Sequence, residues 1–141
     1  MTHNEYASWG AQMAIEILLI DDDPDMSVML RTLLRGHDFQ IQSAHSGIEG
    51  IQFCRKNRPD VVILDLMMPE PDGWEVCQRI RKFSSVPILI LSAIGSPVEV
   101  SRALDAGAND YLIKPVHAGL LVSRLSMLVR RYAMGGDVRV A

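Results

Sequence analysis

The sequence predicts an α/β fold, a doubly wound (βα)5 sandwich around a five-stranded parallel sheet. From Ile15 onward, short β-rich runs alternate with stretches of helical period. Two of those runs, Val61-Val62-Ile63-Leu64 and Ile88-Leu89-Ile90-Leu91, are apolar at every position, as strands covered on both faces must be. Polar groups also collect behind one end of the strands, where open parallel sheets bind ligands.

Residues 1–14 show no sustained period and read as a disordered tail. Strands are expected at 15–20 (IEILLI), 39–44 (FQIQSA), 61–65 (VVILD), 87–92 (PILILS) and 110–113 (DYLI). The run Phe39-Gln40-Ile41-Gln42 alternates, which suits an edge strand with one solvated face. The first helix takes Asp23 as N-cap and Pro24 at its first position, with Met26, Met29, Leu30, Leu33 and Leu34 on one stripe before Gly36. Ser46 and Glu49 form a capping box for the second, which runs to Asn57. The third spans 73–83 with Trp74, Cys77 and Ile80 inward; the fourth opens on Ser96-Pro97-Val98-Glu99 and stops at Gly107. The fifth covers 118–133, with Leu121, Leu125, Leu128 and Tyr132 as its core stripe. One unit, 15–133, is therefore expected, with 134–141 as a C-terminal tail or linker stub.

Composition narrows the function classes. With 14 Lys and Arg against 17 Asp and Glu, the net charge is −3, which argues against direct nucleic-acid binding. No basic residue precedes Arg31 and no apolar run could span a bilayer, so neither a secretory signal nor a membrane segment is expected. Cys54 and Cys77 sit at helical core positions and form no CxxC, consistent with a reducing, cytoplasmic setting. His3, His37, His45 and His117 are scattered without ligand spacing. The basic clusters Arg55-Lys56-Arg58 and Arg79-Arg81-Lys82 read as solvated helix ends.

After strand one come Asp21, Asp22 and Asp23, with Asp25 close behind; strand three ends in Asp65, strand four in Ser92, and strand five in Lys114 before Pro115. Capping and the helix dipole account for Asp23 and Asp25 but not for Asp21 and Asp22. If strands one and three are neighbours, Asp65 joins that pair. Two unit charges about 4 Å apart repel by roughly 4 kcal/mol at an effective dielectric near 20, so three carboxylates call for a cation. Oxygen-only ligation favours Mg²⁺. Lys114 at the same end of the sheet adds a mobile cation able to pair with an aspartate or an added phosphoryl group.

The segments ILLIDDDPD, VVILDLMMPEPDGWEVC, PILILSA and GANDYLIKP together resemble the receiver domain of two-component response regulators. The resemblance runs from Ile15 to Arg131 and rests on five residues from four strand ends recurring in order. It implies the flavodoxin-like strand order 2-1-3-4-5. It implies that Asp65 accepts a phosphoryl group from a histidine on a sensor kinase or phosphotransfer protein. Asp21, Asp22, Asp65 and the Met67 backbone carbonyl would hold Mg²⁺, Asp22 directly and Asp21 largely through water. Ser92 and Lys114 would bind the phosphoryl oxygens, and Tyr111 would swing inward when Ser92 moves. The surface of helix four, strand five and helix five would then carry the output.

Some positions depart from the family pattern. Ser92 stands where threonine is commoner, and Pro71 lies in the loop after Asp65. Met67 and Ile94 replace polar side chains that help place a hydrolytic water, so slow self-dephosphorylation is expected. Arg124, Asp105 and Asp110 match charged residues through which related regulators dimerise, whereas Val100 and Leu120 replace a further charged pair. Leu120, Met127 and Val116 would leave apolar surface on the output face, either for a partner or under a more deeply buried fifth helix.

Three other readings fit less well. A flavodoxin needs a hydroxyl- and glycine-rich phosphate loop where this chain has carboxylates. An aspartate-nucleophile phosphatase using Asp21 and Asp23 generally needs a longer chain with a cap. A receiver-like docking module that is never phosphorylated is opposed only by the intact acid set.

Overall fold

The computed structural model describes residues 14–134, so the tails expected at 1–14 and 134–141 lie almost entirely outside the described residues. Along the chain come β1 (Ile15–Ile20), α1 (Pro24–Leu33), β2 (Phe39–Ala44), α2 (Gly47–Asn57), β3 (Val61–Leu64), α3 (Gly73–Arg81), β4 (Ile88–Ser92), α4 (Pro97–Asp105), β5 (Asp110–Ile113) and α5 (Ala118–Ala133). The five strands are parallel, in the order β2-β1-β3-β4-β5. The alternating strand β2 is an edge, as its pattern requires.

Alternate residues of the central strands enter two cores. Ile17, Leu19, Ile63 and Leu89 pack with Met26 and Leu30 of α1 and Leu121, Leu125 and Leu128 of α5. Leu18, Ile20, Leu64 and Ile90 pack with Ile51 of α2, Val76 and Ile80 of α3, and Ala103 of α4. Every residue of β3 and β4 is buried, which explains their unbroken apolar runs.

The expected caps are present at α1, α2 and α4. Asp23 accepts the Asp25 N–H and Ser46 the Glu49 N–H, while Glu49 reaches back to the His45 N–H at 3.1 Å. At α4 only half of the box forms: Ser96 accepts the Glu99 N–H, but Glu99 turns its carboxylate toward Arg102 instead. Gly107 closes α4 at φ +116°, a left-handed turn that suits a residue without Cβ.

Several expectations need correction. β3 ends at Leu64, not Asp65, because the chain then folds back so that the Leu66 carbonyl accepts the Met68 and Gly73 N–H groups. β4 begins at Ile88, since Pro87 lacks an N–H and offers the ladder only its carbonyl, to Val62. α3 stops at Arg81, where the Lys82, Phe83 and Ser84 N–H groups bond the Arg79 and Ile80 carbonyls in a closing turn. Arg81 is no solvated helix end: its guanidinium donates to the carbonyls of Gly107, Ser84 and Val86 and to Asn109 Oδ1, binding α3 to the strand starts. Tyr132 leaves the core stripe at 37% exposure and lines a surface cavity of about 530 Å³ with Arg55, Arg58 and Phe83. Trp74 does pack inward against the core, half-buried, with the Arg102 guanidinium over its ring.

Candidate functional site

Strand register brings the acids together. Ile20 of β1 pairs with Leu64 of β3, so the next residues, Asp21 and Asp65, emerge side by side. Each is anchored by its own backbone: the Asp21 N–H donates to the Ala44 carbonyl and the Asp65 N–H to the Ile20 carbonyl, both at 3.1 Å. Asp22 follows on the solvent side. One carboxylate oxygen from each of Asp21, Asp22 and Asp65 lies within 4.8 Å of the others.

Two of these acids are deeply placed, with Asp21 3% and Asp65 7% exposed. Burial pushes both carboxyl groups above their ordinary range. For Asp21 the Asp23 N–H opposes that push, Asp65 adds to it, and Lys114 opposes it. For Asp65 the chief opposing influence is the Lys114 ammonium, followed by the Met67 N–H. Asp21 Oδ1 accepts the Asp23 N–H at 3.0 Å, but Asp21 Oδ2 and Asp65 Oδ1 are buried without a hydrogen-bond partner. Two buried carboxylate oxygens free of hydrogen bonds, beside a third carboxylate, are the donor set that a hard cation takes.

The other site residues come from the neighbouring strand ends. Lys114 leaves β5 and brings Nζ within 3.7 Å of Asp21 Oδ2. Ser92 ends β4 fully buried, its Oγ accepting the Ile94 N–H at 3.3 Å. Tyr111 of β5 is half-buried and its hydroxyl donates to the Ile94 carbonyl, so the ring is already turned onto the β4–α4 loop. Met67 directs its side chain outward at 61% exposure, and Ile94 is half-buried.

Arg124 does not stand free on the output face: its NH1 donates to both Asp110 oxygens, at 2.9 and 2.7 Å, within the same chain. Cys54 and Cys77 are buried as expected, and burial lifts the Cys54 thiol to about 12, leaving it protonated.

Sequence reasoning passed over one contributor to the site. A Cβ on Gly73 would meet the Asp65 carbonyl oxygen at 2.4 Å and Leu66 Cα at 2.5 Å, so only glycine lets α3 begin this close to the acid. Asp72 caps that helix by accepting the Glu75 N–H. The Pro71-Asp72-Gly73 run carries both signals: a turn, a cap and a residue without a side chain.

The model of the response regulator receiver domain matches residues 17–126, which is most of the chain and includes every residue just described. The chain belongs to that family. Receivers are signalling domains of two-component systems, and this one resembles the transcriptional regulatory protein AfsQ1 of Streptomyces coelicolor, 38% identical over 115 residues covering 82% of this chain and 51% of that protein. It is 40% identical to the response regulator MprA of Mycobacterium ulcerans over 126 residues, 89% of this chain and 54% of that one. The receiver chain thus spans about half the length of these curated relatives. Among solved structures, a putative response regulator from Chloroflexus aurantiacus aligns with TM-score 0.78 and 38% identity, covering 83% of this chain and 98% of that one. The Francisella response regulator 1452 receiver domain aligns with TM-score 0.78 and 30% identity over 84% and 98% of the two chains.

Proposed function

We propose that this receiver is a phosphoryl-accepting switch in which Asp65 takes the group and Ser92, Tyr111 and Lys114 read it. The observation that carries the reading is the pair of buried carboxylate oxygens, Asp21 Oδ2 and Asp65 Oδ1, left without hydrogen bonds beside Asp22 and Lys114. Buried anionic acceptors are ordinarily satisfied, and one ammonium, 3.7 Å from Asp21 Oδ2, leaves a cluster of three carboxylates short of positive charge.

Asp21, Asp22 and Asp65, with the Met67 backbone carbonyl, are the residues that would hold Mg²⁺. Bound there, the ion would supply positive charge to the equatorial phosphoryl oxygens. The chain supplies the rest. An Asp65 carboxylate oxygen attacks phosphorus; the bond from phosphorus to the donor's imidazole nitrogen breaks, and its electron pair leaves with the imidazole. Lys114 neutralises charge on the transferred group, and the Ser92 hydroxyl donates to one of its oxygens. In drawing toward that oxygen, Ser92 shifts the Ile94 segment it holds and with it the Tyr111 hydroxyl.

In this reading the protein works in the cytoplasm, and its partners are a sensor histidine kinase or phosphotransfer protein and an output domain or second copy on the face of α4, β5 and α5. Ile113, Leu120 and Val98 supply exposed apolar area on these elements. With Val100 and Leu120 in place of charges and Arg124 bonded to Asp110 in its own chain, a dimer here would rest on apolar contact more than on ion pairs. Among the described residues no helix is long and apolar enough to cross a membrane. In this reading 15–133 is the whole switch, 134–141 is a tail or linker, and turnover is confined to the protein's own phosphorylation and slow dephosphorylation.

Incubation with acetyl phosphate and Mg²⁺ followed by intact mass measurement tests the reading. A gain of one phosphoryl group, lost in Asp65→Asn, is expected. Unchanged mass would leave a docking module, and sustained phosphate release would mark a phosphatase.

A further inference from the structure

The helix α4 is the most lightly anchored of the five. Ala103 is its single buried residue, where α3 has four. Between Gln78 of α3 and the Pro97–Asp105 face of α4 lies an open cleft of about 600 Å³. Across that gap one side chain makes a defined contact: the Arg102 guanidinium of α4 lies over the Trp74 ring of α3, 4.0 Å from its centroid.

The two ends of this contact lead back to the site. Trp74 directly follows Gly73, whose backbone abuts the Asp65 carbonyl. Arg102 NH1 lies 4.0 Å from Glu99 Oε2, which is buried without a hydrogen bond. Glu99 in turn is close enough that its charge acts on the Tyr111 hydroxyl. Arg102 is itself well exposed, with 57% of its side chain open, so core packing does not account for its placement. Its guanidinium thus lies between Trp74, next to the glycine that abuts the Asp65 carbonyl, and Glu99 in the first turn of α4.

Resting on the reading of Asp65 as acceptor, we infer that Arg102 is a positioning residue, whose stack on Trp74 restrains α4 and is released when Asp65 is phosphorylated. Displacing the Ser92–Ile94 segment moves the start of α4, and a helix held by one fully buried residue, Ala103, with Leu104 half-buried beside it, follows by sliding over α3. The planar stack is the contact that this slide must break. Lysine substitutes poorly, since it keeps the charge but loses the flat face that stacks on the ring.

The test uses the full chain with Trp9→Phe, so that Trp74 is the sole indole. Acetyl phosphate and Mg²⁺ should change Trp74 emission in step with the mass gain at Asp65. Arg102→Ala should abolish that change and speed phosphoryl uptake by about threefold, the scale of one exposed cation–π contact. Arg102→Lys should behave nearly as Arg102→Ala, and Trp74→Phe, which keeps a weaker aromatic face, should fall between parent and Arg102→Ala in uptake. Phosphorylated protein with unaltered Trp74 emission, or Arg102→Ala with parental uptake, would overturn the inference while leaving the switch intact. Absence of any mass gain would remove both.

Discussion

Lys114 gives its closest ionic contact to Asp21, with Nζ 3.7 Å from Oδ2, while its charge also favours the ionised form of Asp65. One ammonium therefore serves two buried carboxylates. At 3.7 Å the contact is long for a charge-assisted hydrogen bond, so the lysine is retained by the field of the cluster more than by one directional bond. Such a cation can transfer its allegiance to a new anion at Asp65 without breaking strong geometry.

Lys114→Met should consequently destabilise the metal-free protein at neutral pH by on the order of 1 kcal/mol, the upper range for a partly exposed pair. The loss should shrink as pH falls, because protonated Asp21 and Asp65 no longer need the cation. Urea unfolding in EDTA at several pH values measures this; a pH-independent loss would mean that Lys114 acts by packing alone.

Neutralising Asp65 should have the opposite sign. Burial holds the folded-state ionisation of Asp21 and Asp65 above the value of 3.8 expected of the unfolded chain. Between the unfolded and folded values the folded state binds more protons, so these groups make stability fall as pH rises through that window and keep it lowered above it. Asp65→Asn should stabilise the metal-free protein by on the order of 1 kcal/mol at neutral pH and flatten this dependence. Mg²⁺ should stabilise the parent by mass action and the variant much less. Equal Mg²⁺ responses would exclude Asp65 from the cation's ligands.

Phospho-Asp65 should be long-lived, because neither Met67 nor Ile94 offers a side-chain hydrogen bond to an attacking water. Met67→Asn changes a side chain that is 61% exposed and leaves the backbone in place, so folding should be unaffected. Dephosphorylation should accelerate by about tenfold, a modest share of what a well-placed polar group contributes. A parent lifetime of seconds, followed by mass after removing acetyl phosphate, would refute the expectation.

What the sequence made legible follows from periodicity and from strand ends. Unbroken apolar runs marked β3 and β4 as central and alternation marked β2 as an edge, because burial on one face or two is written directly into residue order. The acids, Ser92 and Lys114 were visible because a parallel sheet sends every strand end to one side. Contacts that cross between elements at irregular spacing left no such trace. Arg81 looked like any basic helix end, yet it bonds three carbonyls and Asn109 Oδ1 on other segments. Trp74 packs against the core as its position suggests, but nothing in its spacing foretold that Arg102 would lie over its ring. Tyr132 kept the helical period of its stripe, but the last turn of α5 carries it to an exposed cavity wall.

Gly73 is the sharpest case of a residue whose importance lies in what it lacks. Its hydrogen bond to the Leu66 carbonyl, at 3.2 Å, ties the start of α3 to the residue after Asp65. A methyl there would press on the Asp65 carbonyl oxygen and Leu66 Cα, both backbone atoms that cannot rotate away. Gly73→Ala should therefore cost about 1–3 kcal/mol through overpacking, despite the better helix propensity of alanine. Relief requires either α3 or the Asp65–Leu66 backbone to move, and both routes misplace the Asp65 carboxylate relative to Asp21 and Lys114. Phosphoryl uptake should fall together with Mg²⁺ affinity, whereas Gly36→Ala, at φ +86° with nothing nearby, should lower stability through backbone strain and leave both activities at parental levels in the folded fraction. Mg²⁺ titration and acetyl phosphate labelling of the two variants separate these outcomes: a Gly73→Ala protein that binds Mg²⁺ and accepts phosphoryl like its parent would show that the close approach of α3 has no part in shaping the pocket.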